Sequence, residues 1–177
     1  EVRLNDVVNA TLDLTGYMLR SADITVMTDL AANLPPVHAD KDQLAQVLMN
    51  LIVNAQQAML EVDGQRRLKI MTRYDKRRER VRLKVKDTGP GIPPDVRPRI
   101  FEPFYTTKPV GCGTGVGLAV SRGIVQAHDG TIEVEGDGGR SGASFVVELP
   151  AMRIDHAVAE TQRAAAANGR RCRVLVV

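Results

Sequence analysis

The stretch DKDQLAQVLMNLIVNAQQAM, residues 40–59, decides the fold. Its apolar residues Leu44, Val47, Leu48, Leu51, Ile52, Ala55 and Met59 recur at the three- and four-residue spacing of an amphipathic helix. Asp40 is a good N-cap, and Gln43 stands three residues on, as in a capping box. Beside the apolar stripe, Gln46, Asn50, Asn54 and Gln57 fall within about 80° of one another at about 100° per residue. Asparagine is a poor helix former because its side chain competes for backbone hydrogen bonds, so two of them one turn apart in mid-helix call for a reason. A solvent-facing helix supplies one, since amides are common there. Cation ligation supplies another, because a side-chain carbonyl oxygen suits Mg²⁺.

On the N-terminal side, Val7, Val8, Leu12, Leu14 and Leu19 predict a helix from Leu4 to Leu19, Ile24–Leu30 predicts a strand, and Pro35 and Pro36 end this opening unit. On the C-terminal side, Leu68–Tyr74 and Val81–Asp87 predict two strands joined by a charged stretch. The second alternates Val81, Leu83 and Val85 with Arg82, Lys84 and Lys86, so one face is buried and the other solvated. Residues 89–113 form a Pro- and Gly-rich segment longer than loops usually are unless they are lids or binding loops. Helical spacing returns over Gly115–His128, and Thr131–Glu135 and Ala143–Leu149 predict two more strands. The pattern predicts an α/β protein of the α+β kind, a two-layer sandwich with helices on one face of a mixed sheet.

The 177 residues and 44% hydrophobic content suit one sizeable core, and a net charge of +3 implies no strong polyanion partner. The basic residues between Arg66 and Lys86 alternate with core positions, so they read as a solvated sheet face in preference to a nucleic-acid patch. No apolar run approaches the roughly 20 residues of a membrane span. Cys112 and Cys172 lack metal-ligand spacing, and a reducing cytoplasm is expected. With no methionine or signal-like segment at Glu1, and an apolar run at the end, the chain reads as a fragment of a longer protein.

Three further groups carry chemistry. Asp87 is in phase with the buried positions of its strand, so its carboxylate needs donors. The exocyclic amine of an adenine ring is one suitable donor, and a nearby backbone turn is the other. Gly89 and Gly91 follow it and permit a tight turn and close backbone approach. Gly111, Gly113, Gly115 and Gly117 alternate directly before a helix, where free N–H groups and the helix dipole favour a phosphate. No strand precedes these glycines and no Gly-Lys-Ser/Thr follows, which disfavours the Rossmann and P-loop arrangements. Between the two groups, Phe101, Phe104 and Tyr105 are candidate anchors for a lid. Lys108 either reaches a phosphate as a point charge or is solvated.

In this order, the motifs closely resemble the catalytic domain of bacterial two-component sensor histidine kinases. Residues 46–55 are similar to the family's N box, Asp87–Ile92 to its G1 box, Phe101–Lys108 to its F box and Gly113–Leu118 to its G2 box. The Asn-Ala-Gln-Gln-Ala-Met run ending at Met59, with the Phe-Tyr-Thr-Thr-Lys lid, resembles the nitrogen-regulatory type. The resemblance implies the ATP-lid fold shared with gyrase and Hsp90. It also implies that Asn54 chelates Mg²⁺, that Asn50 assists at the phosphates, and that Asp87, Gly89, Gly91 and Ile92 receive adenine. Lys108, Gly113, Thr114, Gly115, Val116, Gly117 and Leu118 would close over the triphosphate of ATP. ATP-hydrolysing relatives carry a glutamate at the position of Asn50, and an amide cannot take a proton from water, which favours transfer to a protein acceptor. The sequence departs from the pattern at Gln57, where many members carry Lys or Arg, and at Ala143, where many carry Thr or Ser.

The implied organisation is a catalytic domain over residues 1–152, a linker over 153–170 and, at 171–177, a stretch similar to the first strand of a receiver domain, though a hydrophobic tail reads equally well. His38, His128 and His156 are not credible phospho-acceptors, so the acceptor is expected on a dimerisation domain before Glu1. The implied partners are that domain and a response-regulator receiver domain. A homodimeric full-length protein is expected, with no nucleic-acid partner and no membrane contact by this fragment. The competing expectations are a module that binds nucleotide without transferring phosphate, and an ATPase of the gyrase or Hsp90 kind, which Asn50 disfavours.

Overall fold

The structure, a computed structural model, describes residues 1–106, 115–135 and 142–152. The linker and receiver-like stretch expected beyond residue 152 lie outside the described residues, as do Lys108, Gly113 and Thr114. Three helices, α1 (Leu4–Ser21), α2 (Lys41–Leu60) and α3 (Gly117–Ala127), combine with five strands. These are β1 (Ile24–Leu30), β2 (Arg66–Asp75), β3 (Arg80–Lys86), β4 (Thr131–Glu135) and β5 (Ser144–Pro150). Within the described residues, every element the periodicity predicts is present, with ends shifted by at most two residues.

The sheet order is β1-β2-β3-β5-β4; β1 pairs parallel with β2, and the remaining pairs are antiparallel. Alternation puts Leu68 and Ile70 of β2, Val81, Leu83 and Val85 of β3, and Phe145, Val147 and Leu149 of β5 on the buried face. Against them lies the apolar stripe of α2, with Leu44, Val47, Leu48, Leu51, Ile52, Ala55 and Met59 all buried. On the opposite sheet face Arg82 and Lys84 reach Glu135 at 2.9 and 2.8 Å, and Arg82 reaches Glu148 at 3.0 Å. The lysine holds the Glu135 carboxyl below its ordinary range. Such partly exposed pairs add little stability, but they pair the hairpin's cations with acids of its own sheet.

The start of α2 corrects one expectation. Asp40 Oδ1 accepts from the N–H groups of Asp42 and Gln43, at 2.9 and 3.0 Å, as an N-cap should. A full capping box would return the N–H of Asp40 to Gln43. That N–H instead donates to His128 Nε2, at 3.0 Å, from the end of α3. Val2 and Ala151 both bridge to Val37, three residues before the cap.

Arg66 secures the other end of the helical layer. Its Nε donates to the carbonyl of Met59 in the last turn of α2, and its Nη1 to the carbonyl of Ala22 at the end of α1, each at 3.0 Å. One cation thus satisfies orphan carbonyls at the negative ends of two helices. Arg66→Met, which keeps much of the stem and loses both donors, is expected to cost about 2 kcal/mol in urea unfolding. An unchanged unfolding midpoint would show that neither bond stabilises the fold.

Candidate functional site

Asp87 follows the last residue of β3 and keeps its phase, so the side chain enters the core face and is only 2% exposed. Its N–H donates to the Ala143 carbonyl at 3.0 Å, which extends the pairing of β3 with β5 by one step. Its Oδ1 accepts from the N–H groups of Gly89 at 2.9 Å and Ala143 at 3.0 Å. Burial pushes the carboxyl above its ordinary range, and these backbone donors pull it back. Both donors meet the same oxygen, and no described residue donates to Oδ2. Of the two donors that the sequence leaves open, the backbone turn therefore takes one oxygen, and the other can still serve a ligand.

Glycine is required where the chain passes this carboxylate. Gly142 has φ 87, and a Cβ there would strike the Asp87 carbonyl oxygen. A Cβ on Gly89 would lie 3.1 Å from the Ala58 Cβ and 3.2 Å from the Ala58 carbonyl carbon. The loop after β3 consequently rests on the C-terminal half of α2. Gly91 turns at φ 80, and Ile92 packs partly buried against the core.

Farther back along α2, the Asn50 Nδ2 donates to the Gly117 carbonyl and to Ser121 Oγ, both at 3.2 Å. Ser121 is fully buried and itself donates to Gly117 O at 2.9 Å. Asn50 therefore touches the first turn of α3. Asn50, Asn54 and Ala58 are four residues apart and share one stripe of α2, about 12 Å from end to end. The start of α3 lies at one end of the stripe, Asp87 and Gly89 at the other, and the half-buried Asn54 between them. Gln46 is exposed, so the amide stripe borders the core only from Asn50 onward.

The glycine-rich turn enters α3 at Gly117, two residues later than the spacing predicts, with Val116, whose side chain makes no cap hydrogen bond, as N-cap. Leu118 packs partly buried against the core. Gly115 sits at φ 64, where a Cβ would come within 2.6 Å of Phe104, and its carbonyl accepts from Phe104 N at 2.9 Å. The lid stretch and the glycine turn are thus joined at the foot of α3. Phe101 and Tyr105 pack against the core, with Arg122 and Arg99 over their rings. Phe104 does not act as the third anchor: it is 80% exposed and sits at φ 65, with its N–H bonded to Gly115.

Sequence reasoning missed Gly142, the Ala143 backbone, Ala58, Ser121 and Thr88. The Thr88 hydroxyl accepts from Arg67 N at 3.0 Å and donates to Gln65 O at 2.9 Å, which fixes the Asp87 turn to the start of β2. A small polar residue directly after a buried acid was the only available signal.

A carboxyl raised by burial binds a proton more readily folded than unfolded. Its contribution is fully present below the unfolded value and is lost as pH rises through the folded one, so the charged form at neutral pH costs stability. Asp87→Asn keeps an oxygen for both backbone donors. At neutral pH its unfolding midpoint is expected to match or exceed that of the unmodified chain, with an advantage that shrinks on acidification. A variant less stable at neutral pH than at pH 4, each measured relative to the unmodified chain, would contradict this.

Residues 39–153 match the family described as histidine kinase-, DNA gyrase B- and HSP90-like ATPases. The chain is 39% identical over 149 residues to the sensor histidine kinase ZraS of Escherichia coli (strain K12), an alignment covering 84% of the chain and 30% of ZraS. Among solved structures, the catalytic domain of the histidine kinase ThkA superposes with a TM-score of 0.73 at 31% identity, covering 85% of this chain and 93% of that one. Full-length ShkA in complex with AMPPNP gives 0.74 at 31% identity, covering 86% of this chain and 31% of that one.

Proposed function

Because the chain belongs to the family of histidine kinase-, DNA gyrase B- and HSP90-like ATPases and is the catalytic ATP-binding domain of a two-component histidine kinase, we propose that residues 1–152 bind Mg²⁺-ATP along α2. The γ-phosphoryl group is then delivered to a histidine on a dimerisation domain elsewhere in the full-length protein. The observation that carries the proposal is the single stripe Asn50–Asn54–Ala58, with the start of α3 at one end and a buried carboxylate at the other.

Adenine belongs at the Asp87 end, where its amine donates to Oδ2 while Gly89, Gly91 and Ile92 admit the ring. The triphosphate belongs at the other end, where Gly115, Val116, Gly117 and Leu118 begin α3 and its dipole favours anions. Lys108, Gly113 and Thr114 complete the lid in this proposal. The donor set fits Mg²⁺ that arrives with the nucleotide. Asn54 offers one neutral oxygen, and no group of three or more His, Cys, Asp or Glu among the described residues forms a metal cage. Such an ion keeps waters and phosphate oxygens as its other ligands. It would neutralise phosphate charge, while the chain's own groups hold the ends of the nucleotide in place.

Asn50 has no basic atom to take a proton from water, and its Nδ2 is committed to α3. Transfer to a protein acceptor is therefore favoured over hydrolysis. The exposed Phe104 gives the acceptor domain an apolar contact next to the lid. The remaining parts of the proposal are a homodimeric full-length kinase, a receiver-domain partner that residues 171–177 would begin if it lies in the same chain, and a cytoplasmic setting. No helix among the described residues is long and apolar enough to cross a membrane. Ala143 holds Asp87 through its backbone N–H, so the missing hydroxyl does not remove that contact.

Titration with ATP and GTP, with and without Mg²⁺, tests this. The unmodified chain should prefer ATP, Asp87→Asn should lose roughly ten-fold or more of that preference, and Asn54→Ala should lose about ten-fold in the Mg²⁺-dependent part of the affinity. Equal binding of ATP and GTP by the unmodified chain would remove the adenine assignment. A longer protein that includes the dimerisation domain should label a histidine from ATP. A folded, ATP-binding protein that never labels would leave a nucleotide-binding module instead.

A further inference from the structure

Two polar contacts close the α2–α3 interface, one at each end of α3. At its start, Asn50 of α2 bonds to Gly117 and Ser121. At its far end, His128 Nε2 receives the N–H of Asp40, the residue that caps α2, and His128 Nδ1 lies 2.8 Å from the Ile124 carbonyl. A carbonyl can only accept and an amide N–H can only donate, so both ring nitrogens are assigned. Nδ1 carries the proton, Nε2 is bare, and the ring is neutral.

The end of α3 is itself fixed to the sheet. Gly130 N donates to Val125 O at 2.9 Å, and a Cβ on Gly130 would come within 2.6 Å of the Glu148 carbonyl of β5 and 2.8 Å of the Val125 side chain. His128 therefore transmits the position of a sheet-anchored turn to Asp40, the N-cap of α2. Two antiparallel helices pinned at both ends of their contact cannot slide or rotate freely past each other. Without the bond at the Asp40 end, the first turns of α2 are held to α3 by packing and Asn50 alone, and the placement of Asn54 relative to the start of α3 is less closely fixed.

We propose that His128 is a positioning residue for the nucleotide site: as the neutral Nδ1–H tautomer it clamps the N-cap of α2 to the end of α3 and so holds Asn50 and Asn54 in register with the phosphate-facing turn. The functional half of the statement rests on the ATP reading above. The clamp itself rests only on the contacts of one ring.

Long-range ¹H–¹⁵N correlation on the labelled 177-residue chain reads the tautomer without any substitution. The Nδ1–H form is expected, and the Nε2–H or doubly protonated form at neutral pH would overturn the proposal. His128→Phe fills similar space with neither nitrogen, and His128→Gln restores an acceptor near the Nε2 position. At a temperature where all are folded, His128→Phe should shift the Asn50 side-chain amide signal and weaken Mg²⁺-ATP binding about five-fold, the worth of one neutral hydrogen bond. His128→Gln should recover most of both. A Phe variant that melts earlier while leaving the Asn50 signal and ATP affinity unchanged would reduce His128 to a purely structural residue and sink the proposal. If the unmodified chain binds no ATP, the functional reading fails by itself, and the tautomer and the Asn50 signal still decide whether the clamp exists. Should the Phe variant not fold, the tautomer and the Gln variant decide in the same way.

Discussion

An ionised carboxylate taken out of water loses several kcal/mol of hydration unless donors meet it, and the arrangement around Asp87 follows from meeting that requirement with backbone alone. Oδ1 draws in the N–H of Gly89, which forces the chain to turn at once after β3, and the N–H of Ala143, which forces the start of β5 alongside. A Cβ at Gly142 would collide with the Asp87 carbonyl, and one at Gly89 would press closely on Ala58 and the Asp87 carboxylate. A single buried charge thus dictates where three segments meet. Because burial still leaves its proton affinity raised, the free domain carries an electrostatic cost that a donor from the nucleotide would relieve.

α2 works as a ruler for the site. Its buried stripe is set by packing against β2 and β3, which leaves the helix no freedom to rotate about its axis. Asn50, Asn54 and Ala58 flank that stripe, so their facing is inherited from the core. The two ends of this helix are held by contacts from elsewhere in the fold, Arg66 at its last turn and His128 at its cap.

The elements were legible because each has one strong period: Val81, Leu83 and Val85 alternate, and Leu44 to Met59 step by three and four, so burial follows the repeat. Asp87 was legible for the same reason, as a charge standing in a buried phase. Gly142, Ala143 and Ser121 were not, because their roles arise from segments distant in sequence that meet through the sheet order, with β5 inserted between β3 and β4. Glycine spacing announced a turn before α3 but not the bond between Phe104 and Gly115, nor the exposure of Phe104. Asp40 illustrates a subtler limit. The cap was readable locally, yet the partner for its own N–H came from His128, in place of the nearby Gln43 that local rules name.

The amide at Asn50 is constrained by packing as well as by chemistry. Its Nδ2 serves two acceptors, the Gly117 carbonyl and a Ser121 hydroxyl whose own proton is already given to that carbonyl. A carboxylate there would point a negative charge at the same two acceptors and would lose both bonds. The residue that could activate water is therefore incompatible with the α2–α3 contact as this chain builds it. Acquiring a hydrolytic base would require re-partnering Ser121 and the first turn of α3 as well as changing Asn50. The lack of a proton acceptor at position 50 is thus a property of how the two helices are joined.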